Sequence, residues 1–343
     1  MDQASRERTT DLRARFRRAL RAGDDLVRGS VTAEPTEAFA RAVAIGLGGD
    51  PKWLPCHYLY DAAGSRLFEE ITAQPEYYPT RSEAAILEAH ATEIREITGP
   101  VHLVELGSGY SVKTEHLLAA YSGEGEALRY VPVDVSASAL VEAQQSIAKA
   151  FDDVEFTGIH GTYGNAFPVF RELSPQMVVF LGSSIGNLNP SEAARFWTSV
   201  TEHLPVGDFF LLGADLVKDR AVLEAAYDDA AGVTARFTKN YFARINRELG
   251  ARLDLDAIEH VAAWNPAKER IEIWARFLAE QEIRIRALDA SFRIAAGEEI
   301  LVEVSHKYRV PELRRELARF GLHTRRVFTD EREWFALLLL EHR

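Results

Sequence analysis

The stretch LVELGSGYSVKT, residues 103–114, joins an apolar run to a glycine-bearing turn, and its reading decides the fold. Three ligand-binding turns compete for it. A P-loop requires G-x-x-x-x-G-K-[ST]; counted from Gly107, Lys113 and Thr114 fall in register, but Val112 stands where the second glycine belongs. A dinucleotide turn requires G-x-G-x-x-G or a closing Ala, and after Gly107 and Gly109 the same Val112 breaks it. The acid-x-Gly-x-Gly turn of S-adenosylmethionine enzymes asks only for Glu105, Gly107 and Gly109, and all three are present. Spacing alone leans toward this third reading. A tight strand-to-helix turn, with glycines serving only positive φ, remains the alternative for an isolated match.

Outward from this turn the chain alternates short apolar strands, VHLVEL, YVPVDV, MVVFLG and FFLLGADL, with helical segments. That alternation predicts βαβ units on a buried parallel sheet. Ligands of open α/β sheets bind beyond the carboxyl ends of strands, where the glycine turn lies, and Ser111 is a candidate cap for the helix that follows. Asp134 ends the next strand, where a carboxylate can accept both hydroxyl hydrogens of a ribose; a helix N-cap is the competing role. VVFLGSSIGNLNP reaches the same edge, with Gly182 and Gly186 permitting close backbone approach and Asn187 offering donor and acceptor together. A turn role for Asn187 before Pro190 is equally open.

After Asp219 the alternation stops. One helical stretch carries Leu223 and Tyr227 and is expected to close at Gly232; a second carries Phe237, Tyr241 and Ile245. Ile271, Ile273, Ala275 and Phe277 then repeat at period two, which predicts an antiparallel layer inserted into the parallel domain. The helix PELRRELARFGL and the strand FALLLLE resume the first pattern. Upstream, Thr80 and Glu83 form an expected capping box, which leaves Tyr77 and Tyr78 in the loop before it. In VEVSHKY, Glu303 and Ser305 stand two apart and so share one face of a strand, either a solvent face or a polar pocket floor. Residues 1–35 mix Arg with Asp and Glu and read as a solvated helix or flexible arm.

Composition narrows the partners. A net charge of -12 disfavours nucleic acid and anionic membrane, and there is no apolar run long enough to span a bilayer. Cys56 is the single cysteine, so neither an internal disulfide nor a Cys/His zinc framework can form. The sequence predicts a cytoplasmic protein with a small-molecule substrate and no metal, and a monomer.

Taken together, YLYDAAGSRLFEEI, PEYYPTRSE, LVELGSGYSVKT, FLGSSIGNL, GADLVKD, AYDDAAGVTARF and AGEEILVEVSHKYR closely resemble the histidine Nα-methyltransferases of ergothioneine biosynthesis, over the chain from about Gly46 onward. The resemblance implies a class I, Rossmann-like α/β methyltransferase domain (86–216 and 306–343), with a doubly wound, mostly parallel sheet. It also implies a second α+β substrate domain (36–85 and 217–305). The implied reaction moves three methyl groups from S-adenosylmethionine to the α-amine of L-histidine, through its mono- and dimethyl forms, giving hercynine and S-adenosylhomocysteine. By the same resemblance Glu105, Gly107, Ser108 and Gly109 hold the methionine end of the cofactor, Lys113 stands near its carboxylate, Asp134 takes the ribose, and Thr162 and Tyr163 lie at the adenine. Tyr60, Tyr77, Gly182, Asn187 and Tyr227 surround the amine and carboxylate of the substrate, with Tyr60, Tyr77 and Asn187 expected to be catalytic. Glu303, Ser305 and Ile273 form the imidazole pocket. Thr162 and Ile273 depart from the family pattern, which often has an acid and a methionine there. A neutral imidazole has one N–H and one bare nitrogen, which a carboxylate beside a hydroxyl satisfies together. Competing readings are a methyltransferase of another amino acid such as tryptophan or a histidine analogue, a nicotinamide-dependent oxidoreductase, and a catalytically silent binding protein.

Overall fold

A computed structural model of the chain describes residues 3–22, 26–28, 35–123 and 127–343. Its strands are β1 (Leu26–Arg28), β2 (His102–Leu106), β3 (Leu128–Asp134), β4 (Val154–Phe156), β5 (Gly158–His160), β6 (Gln176–Phe180), β7 (Phe209–Asp215), β8 (Ile258–Asn265), β9 (Arg270–Phe277), β10 (Gln281–Ile285), β11 (Ala290–Ile294), β12 (Glu299–His306), β13 (Leu322–Thr329) and β14 (Phe335–His342). The chain divides into two compact units, Met1–Ser30, Pro79–Leu216 and Tyr308–Arg343 in the first, Val31–Tyr78 and Val217–Lys307 in the second. The boundaries lie away from those expected at 85/86 and 305/306. The helix Tyr78–Thr98 starts before its expected first turn, and the Tyr308 N–H donates to Asp215 O at 2.9 Å, which ties Tyr308 to β7.

The first unit is built on a sheet of order β1-β5-β3-β2-β6-β7-β14-β13, with β4 beside β3. β2 pairs in parallel with both β3 and β6, and β6 with β7; β14 runs antiparallel to β7 and β13 antiparallel to β14. Its strands are apolar on both sides because both sides are covered. Val104, Leu106, Val131, Val178, Phe180, Phe210 and Leu212 enter one buried cluster, whereas Leu103, Tyr130, Met177, Val179, Leu211 and Leu337 enter another. From β2 the chain winds outward through β3 to β5 and then returns to β6 on the other side. This reversal of order is the switch point at which doubly wound sheets open a crevice for ligands.

Residues Gln3–Ala22 form a helix, one of the two forms expected, but the expectation that it is solvated is corrected. Leu12, Phe16 and Ala19, spaced to share a helix face, are buried in the same cluster as Val104 and Phe180. Arg13 and Arg17 both reach Glu172, Arg13 Nε at 3.1 Å and Arg17 Nε at 2.6 Å. The parts of the expected arm at 1–2, 23–25 and 29–34 lie outside the described residues.

In the second unit β12-β9-β8 form an antiparallel sheet and β10-β11 a hairpin. Ile271, Ile273, Ala275 and Phe277 are all buried, as their period-two spacing requires. The helix Val233–Leu249 buries Phe237, Tyr241 and Ile245. Gly232, φ 66°, stands at the N-cap of this helix and does not close the preceding one, Arg220–Ala225, which ends before Tyr227. Tyr227 therefore occupies a turn, free of helical side-chain geometry. Among the described residues no helix is long and apolar enough to cross a membrane.

Candidate active site

The turn after β2 is held from several sides. Gly107 and Gly109 have φ of 71° and 52°, in the left-handed region that favours glycine. Gly107 N–H donates to Val133 O at 2.8 Å, and Gly109 N–H donates to Asp134 Oδ2 at 2.9 Å. Asp134 Oδ1 accepts Ser136 N–H at 2.8 Å, so one carboxylate ties the turns after β2 and β3 together. Burial pushes the Asp134 carboxyl above its usual range. The helix cap next to it is Ser136, whose Oγ accepts Ala139 N–H at 3.3 Å.

Glu105 is buried beneath the turn. Thr114 Oγ1 donates to one of its oxygens at 2.6 Å and the Tyr130 hydroxyl donates to the other. Burial pushes this carboxyl up to about 7, against the lowering effect of both hydrogen bonds. Ser111 is not the expected helix cap. It has φ 57° and its hydroxyl meets the Tyr130 hydroxyl at 2.7 Å, while the helix begins only at Glu115. The loop is thereby anchored at both ends to Glu105 and Tyr130.

Two features of the turn suit a ligand. Ser108 is 8% exposed, and its hydroxyl oxygen is buried with no hydrogen-bond partner among the described residues, which asks for a polar group alongside. Among the described residues a Cβ added to Gly109 would meet nothing within 4 Å, so the backbone there is open to close approach. Gly107 is the contrary case, since an added Cβ would lie 3.1 Å from the Tyr163 hydroxyl. Tyr163 packs edge-on against Phe180 at 5.1 Å, and Thr162 is the N-cap of its short helix in a capping box, its own backbone N–H donating to Asn165 Oδ1 at 2.8 Å. These features fit a nucleoside-bearing cofactor held by Gly107, Ser108, Gly109 and Asp134.

Glu83 is absent from the expected site, and its expected capping box does not form. Its side chain is fully buried, accepts the Gly182 N–H at 2.8 and 2.9 Å and pairs with Lys113. Gly182, φ 71°, follows β6, and the next residue, Ser183, accepts Asp215 N–H at 2.9 Å. Asn187 ends the short 3-10 turn Ser184–Asn187. The cap of the helix Pro190–His203 is Asn189, whose Oδ1 accepts Ser191 and Glu192 N–H at 3.1 and 3.0 Å. Asn187 thus lies in the turn weighed for it before Pro190, and capping the helix falls to Asn189.

The second unit gathers the remaining expected residues. Tyr60 meets Phe68 and Phe237 edge-on at 5.4 Å each, and Tyr77 meets Phe68 and Tyr227 edge-on at 6.1 Å each. Three tyrosines therefore share one aromatic cluster. Tyr227 is fixed from behind by His260, whose Nε2 lies 2.8 Å from Tyr227 O and whose Nδ1 lies 2.9 Å from Thr238 Oγ1. A carbonyl only accepts, so Nε2 carries the proton and bare Nδ1 accepts from the threonine. Burial lowers the pKa of His260 and keeps this ring neutral.

On β12, Glu303 pairs with Ile273 of β9 and Ser305 with Ile271, which sets the two polar groups on one face beyond a bulge at Leu301/Glu303. Ser305 is 5% exposed, so at its position this face is buried rather than open to solvent. Its hydroxyl lies 2.8 Å from the Tyr227 hydroxyl. Lys307, two residues further along the same period, is buried and donates to both hydroxyls at 2.8 Å each. It was legible as the next member of the Glu303, Ser305 series and was missed. Among the described residues no group of three or more His, Cys, Asp or Glu side chains could hold a metal ion.

The sequence pattern of a family described as histidine-specific methyltransferase, S-adenosylmethionine-dependent, matches residues 39–342. The chain belongs to this family. It is 46% identical over 303 residues to a histidine N-alpha-methyltransferase of Mycolicibacterium smegmatis, covering 88% of this chain and 94% of that one. A protein of the same name from Mycobacterium tuberculosis is 47% identical over 302 residues, covering 88% and 94%. The ergothioneine biosynthesis protein 1 of Neurospora crassa is 36% identical over 207 residues, which is 58% of this chain and 23% of that protein. This member keeps Glu105, Gly107 and Gly109 in the order that the glycine turn led with, so the P-loop and dinucleotide readings that Val112 broke are set aside.

Proposed function

We propose that this protein transfers three methyl groups from S-adenosylmethionine to the α-amine of L-histidine, giving hercynine as a step of ergothioneine biosynthesis. The observation that carries the reading is the near-half identity, over 88% of the chain, to proteins named histidine N-alpha-methyltransferase. When bound, S-adenosylmethionine supplies an electrophilic methyl group on a sulfonium. In the first unit Gly107, Ser108, Gly109 and Asp134 hold the cofactor, Lys113 stands near its carboxylate, and Thr162 and Tyr163 lie at its adenine. Glu105 stands with them at the methionine end, its oxygens, which also accept from Thr114 and Tyr130, keeping further acceptor capacity.

The amine and carboxylate of the substrate are assigned, by the family resemblance, to Tyr60, Tyr77, Gly182, Asn187 and Tyr227. Alignment is their larger task, since displacement at a methyl group demands an in-line approach of the amine. The amine reacts only without its proton, which passes to water or to a tyrosine hydroxyl, and no strong general base is assigned. As methyl groups accumulate the nitrogen becomes a fixed cation, and the faces of Tyr60 and Tyr77 favour it. Glu303 accepts the imidazole N–H and Ser305 serves the bare ring nitrogen. A side chain lacking either group leaves a buried partner unpaired, at about 1–3 kcal/mol each.

The reading includes a monomer in the cytoplasm that acts on a small molecule without a metal, supported by the net charge of -12 and the single cysteine. The test is stoichiometry. Purified protein given histidine and excess cofactor should release three equivalents of S-adenosylhomocysteine per histidine, with mono- and dimethyl forms passing through. One equivalent and a stable monomethyl product would refute the trimethylation.

A further inference from the structure

Lys307 is a buried cation whose presence the roles assigned above do not explain. Its side chain is 3% exposed, its Nζ lies 2.8 Å from both the Tyr227 and Ser305 hydroxyl oxygens, and it stands 4.6 Å over the Tyr227 ring. The two hydroxyls are themselves 2.8 Å apart. An ammonium is costly to bury unless hydrogen-bonded, and it can only donate. Both hydroxyl oxygens therefore accept from Lys307, and each hydroxyl hydrogen is turned away from it. For Ser305 the consequence is sharp. With Lys307 and, in one orientation of the pair, Tyr227 donating to its oxygen, its own hydrogen is left for an acceptor brought alongside.

We propose that Lys307 is a positioning residue that fixes Ser305 as a hydrogen-bond donor, so that the pocket selects a ring presenting a bare acceptor nitrogen at Ser305 and an N–H at Glu303. This rests on the histidine reading given under Proposed function. Without Lys307 the serine hydroxyl turns freely, donates or accepts, and loses its preference for the bare nitrogen. A purely structural lysine would affect all substrates alike.

The experiment compares kcat/KM for histidine and for two pyrrolylalanines, which keep a ring N–H but replace the bare nitrogen with C–H. Wild-type protein that fails to methylate histidine refutes the underlying reading before any variant is made. If the wild type does methylate it, Lys307→Met should lower the ratio of kcat/KM for histidine to that for pyrrolylalanine by about tenfold or more, mainly through KM for histidine, because its aliphatic stem keeps the packing on Tyr227 but donates nothing. Lys307→Arg, which retains a cationic donor, should preserve the ratio. Should Lys307→Met not fold, Lys307→Gln serves, since its amide both donates and accepts and no longer forces the serine. A ratio unchanged in either neutral variant, with both substrates reduced in parallel, overturns the proposal.

Discussion

Glu83 and Gly182 are joined across 99 positions of sequence, the glycine N–H donating to both carboxylate oxygens at 2.8 and 2.9 Å. The same carboxylate pairs with Lys113, and a Cβ on Gly213 would collide with its Oε1. A fully buried carboxylate thus fixes the backbone after β6 and the lysine that follows the cofactor turn.

Removing one partner of a buried ion pair typically costs about 3–5 kcal/mol. Glu83→Ala should therefore lower unfolding stability by about that amount and weaken S-adenosylmethionine binding, as read by urea denaturation and calorimetry. Gly213→Ala should show the same two losses by displacing the carboxylate. Wild-type stability in both variants would remove Glu83 from the account.

Gly107 and Gly109 separate two reasons for glycine. Both carry the φ penalty, of about 1 kcal/mol for an alanine. Only Gly107 has a neighbour, the Tyr163 hydroxyl at 3.1 Å from an added Cβ, whereas Gly109 faces open space. Gly109→Ala should lower the Tm of the free protein only slightly yet weaken cofactor binding by about tenfold or more. Gly107→Ala should lower the Tm of the free protein further. Equal effects of the two on both readouts would contradict the placement of the cofactor over Gly109.

Tyr77→Phe keeps the ring that packs against Phe68 and Tyr227 and deletes only the hydroxyl. Turnover of dimethylhistidine should fall by about tenfold or more with Tm unchanged, if the hydroxyl takes part in orienting or deprotonating the amine. Unchanged binding and turnover would leave the hydroxyl no part in catalysis.

His306 gives a pH dependence of defined sign. Burial, reinforced by Arg270, pushes its pKa from 6.5 down to about 4. The folded ring stays neutral while the unfolded ring takes up a proton below 6.5, so this contribution to stability is present above 6.5 and lost as pH falls to about 4. His57 and His260 shift in the same direction, and Glu105, raised to about 7, opposes them. His306→Gln should therefore lose less stability than wild type between pH 7 and pH 5, measured by denaturant unfolding at each pH. Parallel losses would show that His306 does not set the slope.

The sheet was legible in the sequence because strands covered on both sides must be apolar throughout, as in MVVFLG, and the antiparallel layer because Ile271 to Phe277 keep period two. The site residues came from motif resemblance, with local physics supporting the Glu303 and Ser305 pair. What escaped was long-range. Thr80 and Glu83 have the local spacing of a capping box, yet the helix begins earlier and Glu83 turns inward to a backbone amide that no local pattern points to. Ser111 looked like a cap and instead bonds to Tyr130, and Gly232 could end one helix or begin the next by the same positive φ. The stripe of Leu12, Phe16 and Ala19 was present in the sequence, but the density of arginines around it masked a core-facing side.

Recognition of histidine through its ring and methylation of its α-amine stand or fall in one assay. The most direct measurement incubates the protein with S-adenosylmethionine and an equimolar mixture of the common amino acids and reads the products by mass spectrometry. A three-methyl shift on histidine alone is expected. Methylation of another amino acid, tryptophan for example, would contradict the roles given to Glu303 and Ser305, and no methylation of any would contradict the function itself.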